Sequence, residues 1–283
     1  MKRAFPILAL FTAALLCYGL YQALVVAPTE QTMGDVQRIF YYHVPSAWTA
    51  FLLFFLNFVA SIQYLVRRTA TGDRIANIIV LVLAVLICVG AYVIPLPEGM
   101  EKSSVVTTGI AIAGIYFLIR KLFPGDQADI LAVVSAEVGV VFCTVVLVTG
   151  PLWARPVWGI WWTWDVRLTS TLVLWLIYVS YLMLRRFSTS GQTPVLAAAL
   201  AVFGALDVPL VYFSIWYFRT QHPQPVIGGG GSIDKRMLHA LLINWLAFLC
   251  FAILVCWSRY RLEAVSRAVQ EEEALESLSG RAR

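Results

Sequence analysis

The stretch DILAVVSAEVGVVFCTVVLVTG, residues 129–150, decides the fold class. Past its first residue it carries one charge, Glu137. As a helix it spans roughly 30 Å, the thickness of the hydrocarbon core of a bilayer. Its apolar residues do not alternate with polar ones, which excludes a barrel strand. Seven further apolar runs flank it, at about 5–26, 46–66, 75–96, 104–120, 166–185, 194–214 and 238–258. Backbone polar groups in lipid must be satisfied within the segment, so each run reads as a helix. The run 104–120 is the shortest and is interrupted by Gly109 and Gly114. The run 5–26 follows Lys2-Arg3 as a signal peptide would. It lacks a small-residue cleavage site and is read as a retained span.

Composition agrees with that reading. Of 283 residues, 60 % are hydrophobic and 13 % charged, against roughly 45–50 % and 25 % in a soluble domain. A disordered chain and a soluble globular fold are both excluded. The net charge of +5 reflects basic residues that orient spans and implies no nucleic-acid partner. With the N-terminus inside, 14 of the 21 Lys and Arg fall on one side, which puts both termini in the cytoplasm. The predicted fold is all-α, a polytopic transmembrane helical bundle of eight spans. Residues 1–258 form one transmembrane domain, and 259–283 a polar, helix-prone cytoplasmic tail. Glu137 and Asp207 lie inside spans, where acids are costly unless an interhelical bond holds them. Five Cys fall in apolar runs with no C-x-x-C pair, so no zinc site, redox motif or covalent haem attachment is expected.

The long loops, 27–45, 151–165 and 215–237, share the outer side, and the unusual residues gather there. Residues 151–165 hold five of the ten Trp. An interfacial aromatic belt is one reading. A belt spreads its Trp over many span ends, whereas Trp158, Trp161, Trp162 and Trp164 crowd around Gly159 and lead into Asp165. On a helix, positions 158, 161, 162 and 165 share a face, an apolar shelf with a carboxylate at its edge that suits a flat ligand or a quaternary ammonium. All three His, His43, His222 and His239, lie on the same side. Two neutral imidazoles facing each other can ligate an iron axially. Arg38, Arg167 and Arg219 are on that side too and can pair with carboxylates of the same ligand. Gly228–Gly231 reads as a hinge.

Trp158-Gly-Ile-Trp161-Trp162-Thr-Trp164-Asp165 resembles the tryptophan-rich WWD motif of the haem-handling proteins of cytochrome c maturation. The continuation Val166-Arg167-Leu168-Thr169-Ser170 resembles the CcmC branch. Arg38-Ile-Phe-Tyr-Tyr-His43-Val44-Pro45 is similar to that branch's first axial-histidine segment. Gln221-His222 with Ser232-Ile233-Asp234 is similar to its second. The resemblance covers spans 1, 2 and 5 to 8. It implies that His43 and His222 are the axial ligands of the haem iron and that Trp158, Gly159, Trp161, Trp162, Trp164 and Asp165 form the haem shelf. Arg38, Arg167 and Arg219 become propionate candidates, while His239 has no counterpart. The family usually has six spans, so residues about 72–124 read as an inserted hairpin.

The function so implied is that of a haem-binding protein of c-type cytochrome biogenesis, in the inner membrane with its functional loops in the periplasm. It carries b-type, non-covalent haem as cargo and delivers it to a periplasmic CcmE-like chaperone. It works beside CcmA- and CcmB-like ABC subunits and a small CcmD-like subunit. Such a protein is a transfer factor with no classified chemical step. Two rivals remain. A CcsA-type haem lyase usually has Pro where Val166 stands. A secondary transporter with an aromatic cage would leave the His without a role and would show paired broken helices.

Overall fold

The computed structural model describes residues 4–67, 69–96, 101–218, 220–223 and 233–280. Nine α-helices account for most of them: α1 Ala4–Tyr21, α2 Phe40–Val66, α3 Ala70–Val93, α4 Lys102–Leu122, α5 Asp126–Trp158, α6 Val166–Phe187, α7 Thr193–Ala205, α8 Asp207–Tyr217 and α9 Lys235–Gly280. No strand occurs among the described residues, and eight stretches are long and apolar enough to cross a membrane. The protein is therefore a multi-pass helical membrane protein. The eight runs read from composition each coincide with one of these stretches.

Three boundaries differ from the sequence expectation, each for a local reason. The second span starts at Phe40, so His43 sits on a helix and not in the loop before it. A 3-10 turn, Asp35–Ile39, runs straight into α2 and nucleates the early start. The fifth span continues through Pro151 and Pro156 to Trp158 and stops at Gly159, whose φ of 79° is the left-handed conformation that ends helices. The expected helical face through 158, 161, 162 and 165 therefore does not form, because residues 159–165 are non-helical. The seventh span breaks at Leu206 into α7 and α8. Pro209 has no N–H to offer the carbonyl of Ala205, which removes the bond that would continue the helix.

α2 and α5 form the centre of the bundle. Their close approach depends on Gly139, where a Cβ would lie 2.7 Å from Phe54 Cε1. Phe54 in turn stacks on Tyr178 of α6, with centroids 3.8 Å apart. Buried amides bond across helices. Asn57 Nδ2 donates to Ala132 O (2.7 Å), Gln63 Nε2 to Tyr116 O (2.8 Å) and Asn244 Nδ2 to Gly19 O (3.0 Å). Such interhelical bonds contribute about 0.6–2 kcal/mol each in a membrane. α3 and α4 pair with each other on the periphery. Tyr116 and Ile119 of α4 attach the pair to Val59 of α2, while Ile78, Val85 and Val93 of α3 remain exposed.

α9 is one uninterrupted helix of 46 residues, roughly 69 Å at 1.5 Å per residue and about twice the hydrocarbon thickness. The polar tail expected at 259–283 is, through Gly280, a continuation of the last span. Its Arg residues return to α5. Arg259 forks onto Glu137 with two bonds of 2.8 Å, the interhelical bond expected for that acid. Arg267 reaches Asp129 at 2.9 Å, and Arg185 of α6 grips the same carboxylate at 2.8 and 2.6 Å. Asp207 departs from expectation, since its Oδ2 is buried without a hydrogen-bond partner.

Candidate functional site

The helices alternate in direction, so the start of α2, the end of α5, the start of α6 and the 220–223 segment lie at one end of the bundle. The ion pairs of Asp129 lie at the other. His43 is in the first turns of α2. Its Nδ1 is 2.8 Å from Thr149 Oγ1 on α5. The Thr149 hydroxyl is also 2.6 Å from the Val145 carbonyl, and with its one hydrogen directed there the oxygen is left to accept from His43. That puts the imidazole proton on Nδ1 and leaves Nε2 with a free lone pair. The ring lies along the α5 backbone, and a Cβ on Gly150 would sit 3.6 Å from its Cε1.

His222 reaches the same arrangement by another route. Its Nδ1 lies 2.9 Å from the carbonyl of Pro223. A carbonyl only accepts, so here too the proton is on Nδ1 and Nε2 is free. Burial, reinforced by the positive charge of Arg167, pushes the His222 pKa from 6.5 down to about 3. The ring is neutral at physiological pH. The centroids of the two rings are 6.5 Å apart and their planes 32° from parallel. A metal bound by imidazole holds each nitrogen at about 2.0–2.1 Å, which sets two opposite nitrogens about 4 Å apart, a spacing that two rings at this separation can meet.

The segment between α5 and α6 is anchored at both ends. Gly159 ends α5 by donating its N–H to Arg155 O at 3.0 Å. Asp165 caps α6, its Oδ1 accepting from Leu168 N at 2.9 Å. The other carboxylate oxygen takes bonds from Thr220 Oγ1 (2.9 Å) and Gln221 N (3.2 Å). Thr220 Oγ1 also accepts from His222 N at 3.1 Å. One aspartate thus ties the tryptophan segment to the histidine segment.

The four expected shelf tryptophans divide. Trp162 and Trp164, edge to face at 5.8 Å, line an open apolar groove of about 300 Å³ with Leu147, Pro151 and Leu172. The indole N–H of Trp162 is buried without a partner. Trp158 packs edge to face on Trp153 instead, at 5.0 Å. Trp161 is exposed.

The three arginines also divide. Arg167 is near enough to act electrostatically on both imidazoles, and its Nη1 donates to Val211 O at 3.2 Å. Arg38 is occupied elsewhere. It donates to the Ala23 and Ala27 carbonyls, to Thr29 and to Asp35, and so fastens the stretch that follows α1 to the 3-10 turn that precedes α2. Arg219 lies outside the described residues, as do Gly228–Gly231 and Ser232. His239 meets Tyr18 of α1, Nε2 to hydroxyl 3.4 Å. Thr149 and Thr220 were not expected in the site. Each is an ordinary hydroxyl residue whose partner stands far away or in a loop, and no local pattern marks it.

The sequence matches the model of the family described as "Heme exporter protein C" over residues 1–96 and 93–275. That range contains every residue placed in the site above. The Heme exporter protein C of Bradyrhizobium diazoefficiens is 29 % identical over 278 residues, covering 97 % of this chain and 84 % of that protein. The protein of the same name from Haemophilus influenzae is 26 % identical over 268 residues, covering 91 % and 83 %. A cytochrome c biosynthesis ccmC-like mitochondrial protein of Marchantia polymorpha is 26 % identical over 231 residues, covering 81 % and 75 %.

Proposed function

The chain belongs to the Heme exporter protein C family, with a role in cytochrome c maturation, and we propose that it holds haem between His43 and His222 and hands it on. The observation that supports this reading is the pair of imidazoles 6.5 Å apart, each with Nδ1 already hydrogen-bonded. Engaging one ring nitrogen leaves the other as the ligand and fixes its direction. The residues present fit haem in other respects. The groove at Trp162 and Trp164 offers an apolar wall to the porphyrin. Arg167 supplies a cation beside the imidazoles for a propionate. Arg38 is set aside from that role because its donors are taken.

Haem in this site is cargo. A groove of about 300 Å³ covers only part of a macrocycle, and the rest stays open to a recipient. His43 is carried by a helix, while His222 is carried by a short segment held by Asp165 and Thr220. Opening that hold frees one ligand and leaves the other in place, which suits release to a second protein. The recipient is a periplasmic haem chaperone of the CcmE kind, and the ABC-type subunits of the maturation system are the membrane partners. The bias of Lys and Arg to the end with the Asp129 ion pairs supports a cytoplasmic side for that end and a periplasmic side for the histidines, in the inner membrane. The hairpin of α3 and α4, on the periphery, is an addition to a six-span bundle.

The test is a visible spectrum of the detergent-purified protein, oxidised and reduced, beside His43→Ala and His222→Ala. A low-spin two-histidine signal lost or shifted in both variants supports the reading. A haem-loaded protein whose spectrum survives both substitutions overturns it.

A further inference from the structure

We propose that Thr149 is the positioning residue for His43, its hydroxyl holding the imidazole as the Nδ1–H tautomer and aiming Nε2 at the haem iron. The inference rests on the reading of His43 as a ligand and adds a residue to it. Four observations converge. The contact is short, at 2.8 Å. Its polarity follows from the second contact of the hydroxyl: with the single Thr149 hydrogen directed to Val145 O at 2.6 Å, the oxygen is left to accept from Nδ1. Its support is rigid, since α5 is packed on α2 around Gly139 and Phe54. The ring lies against α5 at Gly150 as well, where a Cβ would make an ordinary contact with Cε1 at 3.6 Å.

Hydrogen bonding through Nδ1 raises the electron density at Nε2 and strengthens it as a ligand. It favours ferric over ferrous iron and so lowers the reduction potential of the bound haem. A valine in place of Thr149 has nearly the same shape and no acceptor. The ring would then be free to move its proton to Nε2, where it blocks ligation. A serine keeps the acceptor.

The chain has three histidines, so ¹⁵N-histidine labelling of the haem-free protein reads each tautomer directly. His43 should be unprotonated at Nε2 in the wild type and in Thr149→Ser, and should gain Nε2 protonation in Thr149→Val. Haem titration should then give Thr149→Val an affinity about 10–100-fold weaker and a raised midpoint potential, with both restored in Thr149→Ser. A wild-type His43 protonated on Nε2 overturns the inference without any variant. So does a Thr149→Val protein with wild-type affinity, potential and tautomer while His43→Ala has lost its haem signal. Wild-type haem binding in His43→Ala would instead remove the ligand assignment itself, and this inference with it.

Discussion

Asp165 and Thr220 meet at 2.9 Å, carboxylate oxygen to hydroxyl, across 55 positions of chain. The same carboxylate caps α6 through Leu168 N, and the same hydroxyl accepts from His222 N. A rigid helix start, a tryptophan segment and a histidine segment are thereby held by two side chains. Under the proposed function, this contact is where cargo release would be controlled.

Asp165→Asn separates the two duties of that residue. Asparagine caps helices about as well as aspartate, so α6 should keep its stability. With the amide oxygen kept on Leu168 N, the amide nitrogen cannot accept from Thr220 Oγ1 or Gln221 N, and charge-assisted bonds of this kind are worth about 1.5–3 kcal/mol. Haem should dissociate about tenfold faster or more, with a melting temperature close to wild type. Thr220→Val should do the same. Stopped-flow capture of released haem by an apo-globin measures the rate, and unchanged rates in both variants would remove the latch from the account.

Gly159→Ala tests the end of α5. The residue sits at φ 79°, and a Cβ there would touch nothing within 4 Å, so the cost is backbone strain alone, about 1–3 kcal/mol. The variant should melt lower in detergent and bind haem less tightly, because residues 159–165 carry Trp162 and Trp164 to the groove. Equal melting in the two proteins would show that the left-handed turn is not maintained.

Gly139→Ala probes the contact of α2 with α5. Its Cβ would come within 2.7 Å of Phe54 Cε1, and overpacking of this kind costs about 1–3 kcal/mol. Phe54→Leu in the same chain should recover part of the loss. Thermal unfolding of the two single variants and the double one reads the coupling, and strictly additive losses would contradict the proposed clash.

Asp129→Ala should be the most damaging single change at the opposite end of the bundle. The carboxylate is 2 % exposed and serves both Arg185 and Arg267. Removing one partner of a buried pair costs about 3–5 kcal/mol. Loss of folded protein on size exclusion is expected, with partial recovery when Arg267→Ala is added. No recovery would mean that the second arginine is not left stranded.

The spans were legible because each is a local matter of length and hydropathy, and all eight runs appear in the structure. The clustering of His43, the Trp-rich segment and His222 at one end was legible too, since span counting alone sorts residues between two ends. That His43 and His222 act as a pair is what the family resemblance implied, while the 6.5 Å separation and 32° tilt of their rings were not legible, because they depend on where Gly159 stops α5 and where Asp165 starts α6. The apolar period of α5 runs through two prolines without showing its end, so the shelf looked helical when it is not. Arg38 and Arg167 show the same limit. Both looked alike as outer-face cations, yet one is used up by carbonyls just past the end of α1 and the other stands beside the imidazoles.

By itself, the sequence determined an eight-span helical membrane bundle with its unusual residues at one end, because bilayer thickness, backbone satisfaction and charge bias act on each segment separately. Only the tertiary structure decided which side chains work together. Thr149 and His43 are 106 positions apart, and whether a hydroxyl there faces an imidazole depends on how α2 and α5 are rotated against each other. That rotation is set by packing around Gly139, Phe54 and Tyr178, which no single segment contains.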